Sequence, residues 1–331
     1  MASRRPLVEI DRGELRVAGS SLHLDARRRV ECAFVSHAHG DHIGRHDRTI
    51  ATAATLALMR HRLGDAKRRK TEALPASLRT PFGLGELTLE LFSAGHVLGS
   101  AQIRVTRNGL SLGYTGDLCT EPTHAAEPAD VMPCDVLVLE STFGHPRYVF
   151  PPKRETLARI RRFVDDTLSD GATPVLLGYA LGKAQEILKW LSDGGYRAAA
   201  HPVVHAVTRV YEAHGVALPN VRALPPEGPD EGEVVVAPPH LARSPGMRGV
   251  RRRRTAMLTG WAVDGGRFFR ADAAFPLSDH ADFPALLGYA RATGAGRVFT
   301  VHGHADALAR ALRKEGIRAE PLREQAQLEL L

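Results

Sequence analysis

One heptapeptide restricts this chain more than any other feature: Ser36-His37-Ala38-His39-Gly40-Asp41-His42. Four potential metal ligands fall within six residues, directly after the apolar run Val30-Glu31-Cys32-Ala33-Phe34-Val35, which reads as a buried strand. Side chains two apart in an extended segment share one side, so His37 and His39 face the same way. Gly40 lets the backbone bend, and Asp41 and His42 follow at the turn. One short loop at a strand end can thus face two neighbouring cations. A fold that carries it needs a rigid sheet edge from which further ligands can arrive.

The chain supplies them. His96 lies in Ser93-Ala94-Gly95-His96-Val97-Leu98-Gly99-Ser100, Asp117 in Tyr114-Thr115-Gly116-Asp117, and His302 in Val301-His302-Gly303. Each stands beside glycine at the end of a predicted strand, where the backbone can approach a ligand closely. Singly, each is an ordinary turn residue; taken in order with the histidine loop, they read as ligands. Sixteen histidines support this, since imidazole is the commonest side-chain metal ligand. The three cysteines, Cys32, Cys119 and Cys134, have no CxxC spacing and read as buried free thiols in a reducing compartment.

Strand signals dominate the first half. Leu87, Leu89 and Leu91 alternate, and Asn108-Gly109 between two alternating runs is a hairpin signal. Val136–Leu139 is a further apolar run before Glu140. Helical periodicity then sets in at Leu157–Leu168, stopped by Gly171, and again over residues 183–192, followed by Gly194. Strands are predicted at 175–177, 233–237, 255–259 and 297–301, a helix at 305–315, and an exposed Pro/Gly/Glu-rich loop at 219–232. Strands early and late with a mixed segment between fit an α/β sandwich interrupted by an insertion. Lys and Arg total 44 against 37 Asp and Glu, a net charge of +7, which suits a polyanionic partner such as nucleic acid. Nothing apolar follows Met1-Ala-Ser-Arg-Arg, and no stretch is apolar enough to span a membrane; the expectation is a cytoplasmic protein.

In order and context, His37, His39, Asp41, His42, His96 and Asp117 resemble the metal motifs of the metallo-β-lactamase superfamily. Asp25, closing Leu22-His23-Leu24-Asp25, resembles that family's early aspartate. Three more stretches resemble the β-CASP nucleases within it: Leu139-Glu140-Ser141-Thr142-Phe143-Gly144 their acidic motif A, Leu277-Ser278-Asp279-His280-Ala281-Asp282 motif B, and Thr300-Val301-His302-Gly303 motif C. Gly182-Lys183-Ala184-Gln185-Glu186 resembles the start of a β-CASP helix. Arg62-Leu63-Gly64-Asp65, Ala237-Pro238-Pro239 and Ser244-Pro245 add a likeness to bacterial DNA-ligase-associated exonucleases.

The resemblance implies an αββα metallo-β-lactamase sandwich at residues 1–172 and 273–331, with a small α/β β-CASP cap inserted at 173–272. It implies two divalent ions, zinc first and manganese as the alternative. His37, His39, His96 and Asp117 would hold one; Asp41, His42, His302 and a shared Asp117 the other. Such ions about 3.5–4 Å apart activate a hydroxide for in-line attack on phosphorus. Asp41, His280 and Glu140 are the candidate catalytic residues, with His280 as proton donor to the leaving group and Glu140 orienting it or raising its pKa. Lys183 at a helix N-terminus, with the hydroxyls of Ser141 and Thr142, would bind phosphate. The basic runs Lys67–Lys70 and Arg251–Arg254 are candidate nucleic-acid contacts or solvated faces.

The implied activity is a DNA exonuclease of repair, with an ATP-dependent DNA ligase and a helicase of the same pathway as partners. The alternative is an RNA-processing β-CASP endo- or exoribonuclease; a histidine at motif C, here His302, is common among RNA-directed members. Hydrolysis of a small ester, as in lactonases or glyoxalase II, leaves Glu140, His280 and Lys183 without a task. A nucleic-acid-binding subunit without activity is expected to have lost ligands, and none is missing.

Overall fold

The structure is a computed structural model that describes residues 7–64, 71–265 and 269–323. Asp65 and the basic run Lys67–Lys70 lie outside the described residues. Two compact units emerge: Met1–Pro122 with Glu127–Tyr148 and His280–Leu331, and Thr123–Ala126 with Val149–Asp279.

In the first unit, one sheet runs in chain order through β1 (Val8–Asp11), β2 (Glu14–Val17), β3 (Leu22–Leu24), β4 (Cys32–Phe34), β5 (Arg48–Ala51) and β6 (Glu72–Pro75). It is antiparallel up to β3 and parallel from there. The second sheet contains β7 (Phe82–Leu84), β8 (Leu87–Ser93), β9 (Ala101–Arg107), β10 (Leu110–Tyr114), β11 (Val136–Glu140) and the late strands β18 (Arg297–Val301) and β19 (Ala319–Pro321). Positive φ at both Asn108 (51°) and Gly109 (75°) gives the tight turn whose twist matches the β9–β10 hairpin.

Alternation builds the sandwich. Leu22, Leu24, Phe34 and Ile50 of the first sheet pack against Leu89, Leu91, Ile103, Tyr114 and Val138 of the second. The opposite face of the second sheet is also apolar. Leu137, Leu139 and Val298 meet Leu286 and Tyr289 of α5 (Phe283–Ala292) and Leu308 and Leu312 of α6 (Ala305–Lys314). Helix α1 (Ala53–Leu63) packs against β6, and its N-cap Thr52 accepts a hydrogen bond from Thr55 N–H. This is the expected αββα order.

The second unit is built on one all-parallel sheet of order β14-β13-β15-β12-β16-β17. Its strands are β12 (Thr173–Leu177), β13 (Ala198–Ala200), β14 (Val221–Ala223), β15 (Val234–Ala237), β16 (Arg253–Leu258) and β17 (Ala273–Phe275). Helices α2 (Lys153–Ser169), α3 (Lys183–Asp193) and α4 (Pro202–Ala213) complete it.

Two details differ from the sequence expectation. Strand β14 lies inside the segment read as an exposed loop, held by pairing with β13. The inserted unit also starts earlier and ends later than 173–272. Helix α2 buries Ile160 and Val164 against Leu176, and β17 pairs with β16, so both belong to the third sheet's core. Among the described residues, no helix is long and apolar enough to cross a membrane.

Candidate metal centre

Strand direction gathers the candidate ligands. In the second sheet β8 and β10 are both antiparallel to β9, while β10, β11 and β18 are mutually parallel. Their carboxyl ends therefore share one edge, and His96, Asp117, Glu140 and His302 sit at or just past those ends. In the first sheet β3 and β4 are parallel, and Asp25 and the His37–His42 loop follow them.

Close backbone approach makes these turns possible. A Cβ on Gly116 (φ 55°) would lie 2.5 Å from the Ser36 side chain, and one on Gly303 (φ 43°) would lie 2.4 Å from the Ser141 carbonyl oxygen. His302 itself is held at φ 62°, the left-handed region that a residue with a Cβ seldom occupies without a constraint.

His37, His39, His96 and Asp117 each bring one ligand atom into a common cluster, all within 4.8 Å of one another. His39 Nδ1 is 2.9 Å from His37 Nε2 and 3.1 Å from His96 Nε2; Asp117 Oδ2 is 3.4 Å and 3.6 Å from the latter two. A tetrahedral ion with bonds of about 2.0–2.1 Å separates its ligands by about 3.3 Å, and the four atoms bracket that edge. Three imidazole nitrogens this close need a proton or a metal ion between them. Thiolates are absent from the cluster, and the donor set fits zinc and, as a harder alternative, manganese.

Asp25 fixes the imidazoles from behind. Its Oδ2 accepts hydrogen bonds from Ser36 Oγ (2.5 Å), Tyr114 Oη (2.8 Å) and His42 Nδ1 (2.8 Å), and its Oδ1 accepts from Ser36 N–H (2.6 Å). Because Ser36 Oγ gives its proton to Asp25, it accepts from His37 Nδ1 at 3.0 Å. His37 thus keeps a bare Nε2 toward the cluster, and the neutral form of His42 does the same. Ser36 and Tyr114 were not singled out by the sequence reading. Their only signal was position, one before His37 and three before Asp117.

Electrostatics follow from burial and charge. Burial, reinforced by the surrounding imidazoles, pushes the His37 pKa well below that of a free histidine. Burial also opposes charge on His42, but Asp117 and Asp25 outweigh it and raise its pKa to about 9. Against its own burial, Asp117 is held far below the usual carboxylate range by His42, His280 and His96. An anion surrounded this way is a ready cation ligand.

The second predicted ligand set is looser. His42 Nε2 lies 3.5 Å from Asp117 Oδ2 and 3.7 Å from Asp41 Oδ2, so Asp117 faces both His37 and His42. The His302 ring centroid lies 5.7 Å from that of His42, which puts it beside this set. Neither Asp41 nor His302 joins a cluster as tight as the first.

His280 and Glu140 meet as expected. Ala281 N–H donates to the Leu118 carbonyl at 2.7 Å, which ties the His280 segment to the Asp117 turn. Glu140, fully buried, accepts from Leu118 N–H (2.8 Å) and Thr142 N–H (3.0 Å), and its Oε1 lies 3.0 Å from His280 Nδ1. His280 Nε2 then points toward Asp117 Oδ2, 4.0 Å away. Burial raises the Glu140 pKa, but the His280 charge and hydrogen bond more than compensate, and the carboxyl stays below its usual value.

The predicted phosphate-binding residues stand differently. Ser141 is fully buried and donates toward the Val301 and His302 carbonyls, 2.7 Å from each, so it braces the His302 turn. Thr142 contributes its N–H to Glu140. Lys183 is 2% exposed in the second unit, with Nζ 3.0 Å from Glu186 and 3.7 Å from Asp279. An ammonium so paired organises its own unit rather than offering a free charge to a phosphate. The sequence also gave no role to Arg62 beyond its motif. In the last turn of α1, its Nη2 would lie 3.3 Å from a Cβ on Gly40 of the histidine loop.

Residues 12–166 match the family described as Beta-lactamase superfamily domain. That span takes in Asp25, the His37–His42 loop, His96, Asp117 and Glu140. The chain thus carries a metallo-β-lactamase superfamily domain, whose fold implies divalent metal ions. A protein of Opitutus terrae described as a probable DNA ligase is 43% identical over 93% of this chain and 30% of its own length. An RNase J-like protein of Methanocaldococcus jannaschii is 30% identical over 48% of the chain and 42% of its own length. A ribonuclease of Thermus thermophilus is 30% identical over 53% and 46%. The chain therefore spans less than half the length of these relatives.

Proposed function

We propose that this chain is a metal-dependent phosphodiesterase that cleaves nucleic acid, with DNA as the substrate. The observation that carries the reading is Asp117, whose one oxygen faces His37 and His96, His42, and the His280–Glu140 pair. Departure of an alkoxide from phosphorus needs a positioned proton donor, and that last pair supplies one.

His37, His39, His96 and Asp117 would hold one divalent ion, and His42, Asp41 and Asp117, with His302 beside them, a second. When bound, such ions supply Lewis acidity toward a phosphoryl oxygen and lower the pKa of water. The chain's own residues do the rest. Asp25, through Ser36 and directly, keeps the proton of His37 and His42 on Nδ1. Glu140 accepts a hydrogen bond from His280 Nδ1–H and stabilises its imidazolium, so that Nε2 carries the proton given to the leaving oxygen. Glu140 is itself anchored by two backbone N–H groups, so the pair is oriented before substrate arrives.

Identity with a probable DNA ligase over nearly the whole chain supports DNA and an association with ligation. The ribonuclease names among the partial matches favour RNA as the second reading. End-labelled single-stranded DNA and RNA of one sequence, digested with Zn²⁺ or Mn²⁺ and resolved by length, decide between them. Stepwise shortening of DNA with RNA intact is the expected result; cleavage of RNA alone overturns the DNA reading, and cleavage of neither overturns both.

A further inference from the structure

An all-parallel sheet is normally covered on both faces. In the second unit, Leu176, Val236, Ala256 and Leu258 face the side packed with Ile160, Leu188 and Leu191 of the helices. On the other face Leu177, Val235 and Ala237 meet Met247 and Val250 from the segment after β15. Over β16 that second cover is incomplete, and a cavity of about 440 Å³ opens.

Strand alternation divides the arginine run there. Arg254 turns toward the helices, its guanidinium 5.5 Å from the Phe163 ring centroid and 3.4 Å from Asp170. Arg253 and Thr255 turn the other way and line the cavity with Arg243, Arg270, Phe269 and Leu177. Arg253 is half-buried and is steered by one hydrogen bond, from Nη1 to the Met247 carbonyl at 3.4 Å. Among the described residues, none of these three arginines forms an ion pair with a carboxylate. The one acid in the lining, Asp272, is occupied: its Oδ2 accepts from the Thr255 N–H (2.6 Å) and hydroxyl (2.8 Å).

Three guanidinium groups face one carboxylate, Asp272, around one cavity, and the excess of positive charge suits an anion. Their planar forks match phosphate, and an aromatic wall offers a face to a base. The volume falls in the range of small-ligand sites, about 300–1,000 Å³. We propose that this cavity binds a nucleotide, its phosphate against Arg243, Arg253 and Arg270 and its base against Phe269. The choice of nucleotide among organic phosphates rests on the nuclease reading. The nucleotide is either a free 5′-monophosphate or one unit of a strand.

The test uses metal-loaded protein and the variants Arg253→Gln and Arg270→Gln, the second in an exposed segment where folding is not at stake. Two probes are titrated, dAMP and a cleavage-resistant phosphorothioate DNA decamer, and hydrolysis of bis(4-nitrophenyl) phosphate reports the metal centre separately. Both variants should weaken dAMP binding about tenfold or more, the loss of one charge-assisted hydrogen-bonding group, with hydrolysis at the wild-type rate. If dAMP does not bind but decamer affinity falls by that factor, the site takes a strand phosphate. If neither affinity changes in either variant, the proposal is overturned. Wild-type protein that fails to hydrolyse the small diester refutes the nuclease reading alone, since the dAMP titration still decides on the cavity.

Discussion

Replacing Asp25 by Asn tests the arrangement behind the metal centre, because its carboxylate is surrounded only by donors. Oδ2 takes three and Oδ1 one, so an amide cannot be placed without turning an N–H toward another donor. That clash costs about 1–3 kcal/mol. A second loss comes through His42, raised from 6.5 to about 9 in the folded protein. The full shift corresponds to about 3 kcal/mol, to which Asp117 and Asp25 both contribute. Because the folded pKa is the higher one, this stabilisation is complete below pH 6.5 and disappears as pH climbs to about 9. Chelator-treated wild-type protein should therefore lose stability across that window, while Asp25→Asn starts about 2–4 kcal/mol lower and declines less steeply. Metal affinity should fall about 10- to 100-fold, since the proton positions on His37 and His42 are no longer enforced. Urea unfolding at several pH values and competition with a chromophoric chelator measure both. An Asp25→Asn protein with wild-type metal affinity and an unchanged pH slope refutes the reasoning.

Four other variants separate roles in and beside the site. Asp117→Asn should abolish cleavage and lower the metal stoichiometry measured by atomic emission, because this oxygen faces both ligand sets; retained full stoichiometry contradicts its shared position. His42→Ala should likewise abolish cleavage. His280→Ala should slow turnover by about 10²–10⁴-fold with metal content near wild type, and loss of metal in that protein argues against a proton-donor role. Arg62→Ala should raise KM for a nucleic-acid substrate several-fold with kcat little changed, about 1 kcal/mol of phosphate contact; an unchanged KM places Arg62 outside the substrate path.

What the amino-acid sequence determined by itself was local. The His37–His42 loop, the glycine-flanked turns at His96 and Asp117, and the Asn108-Gly109 hairpin were all legible, because period and turn chemistry are written in adjacent residues. The candidate ligands followed, since each stands at or just past the end of a readable strand. Only the tertiary structure decided which atoms meet. Tyr114 reaches Asp25 across 89 residues of chain, and no pattern in either segment encodes that contact. Lys183 looked like a phosphate ligand at a helix start, yet packing placed Glu186 and Asp279 against it. The Ser141 hydroxyl read as a candidate phosphate contact, whereas in the fold it is buried and braces the His302 turn. The Arg251–Arg254 run read as one patch, whereas strand alternation sent Arg253 and Arg254 to opposite faces. Hydrogen-bond partners and burial are set when sheets and helices distant in sequence pack together, so they emerge only once that packing exists.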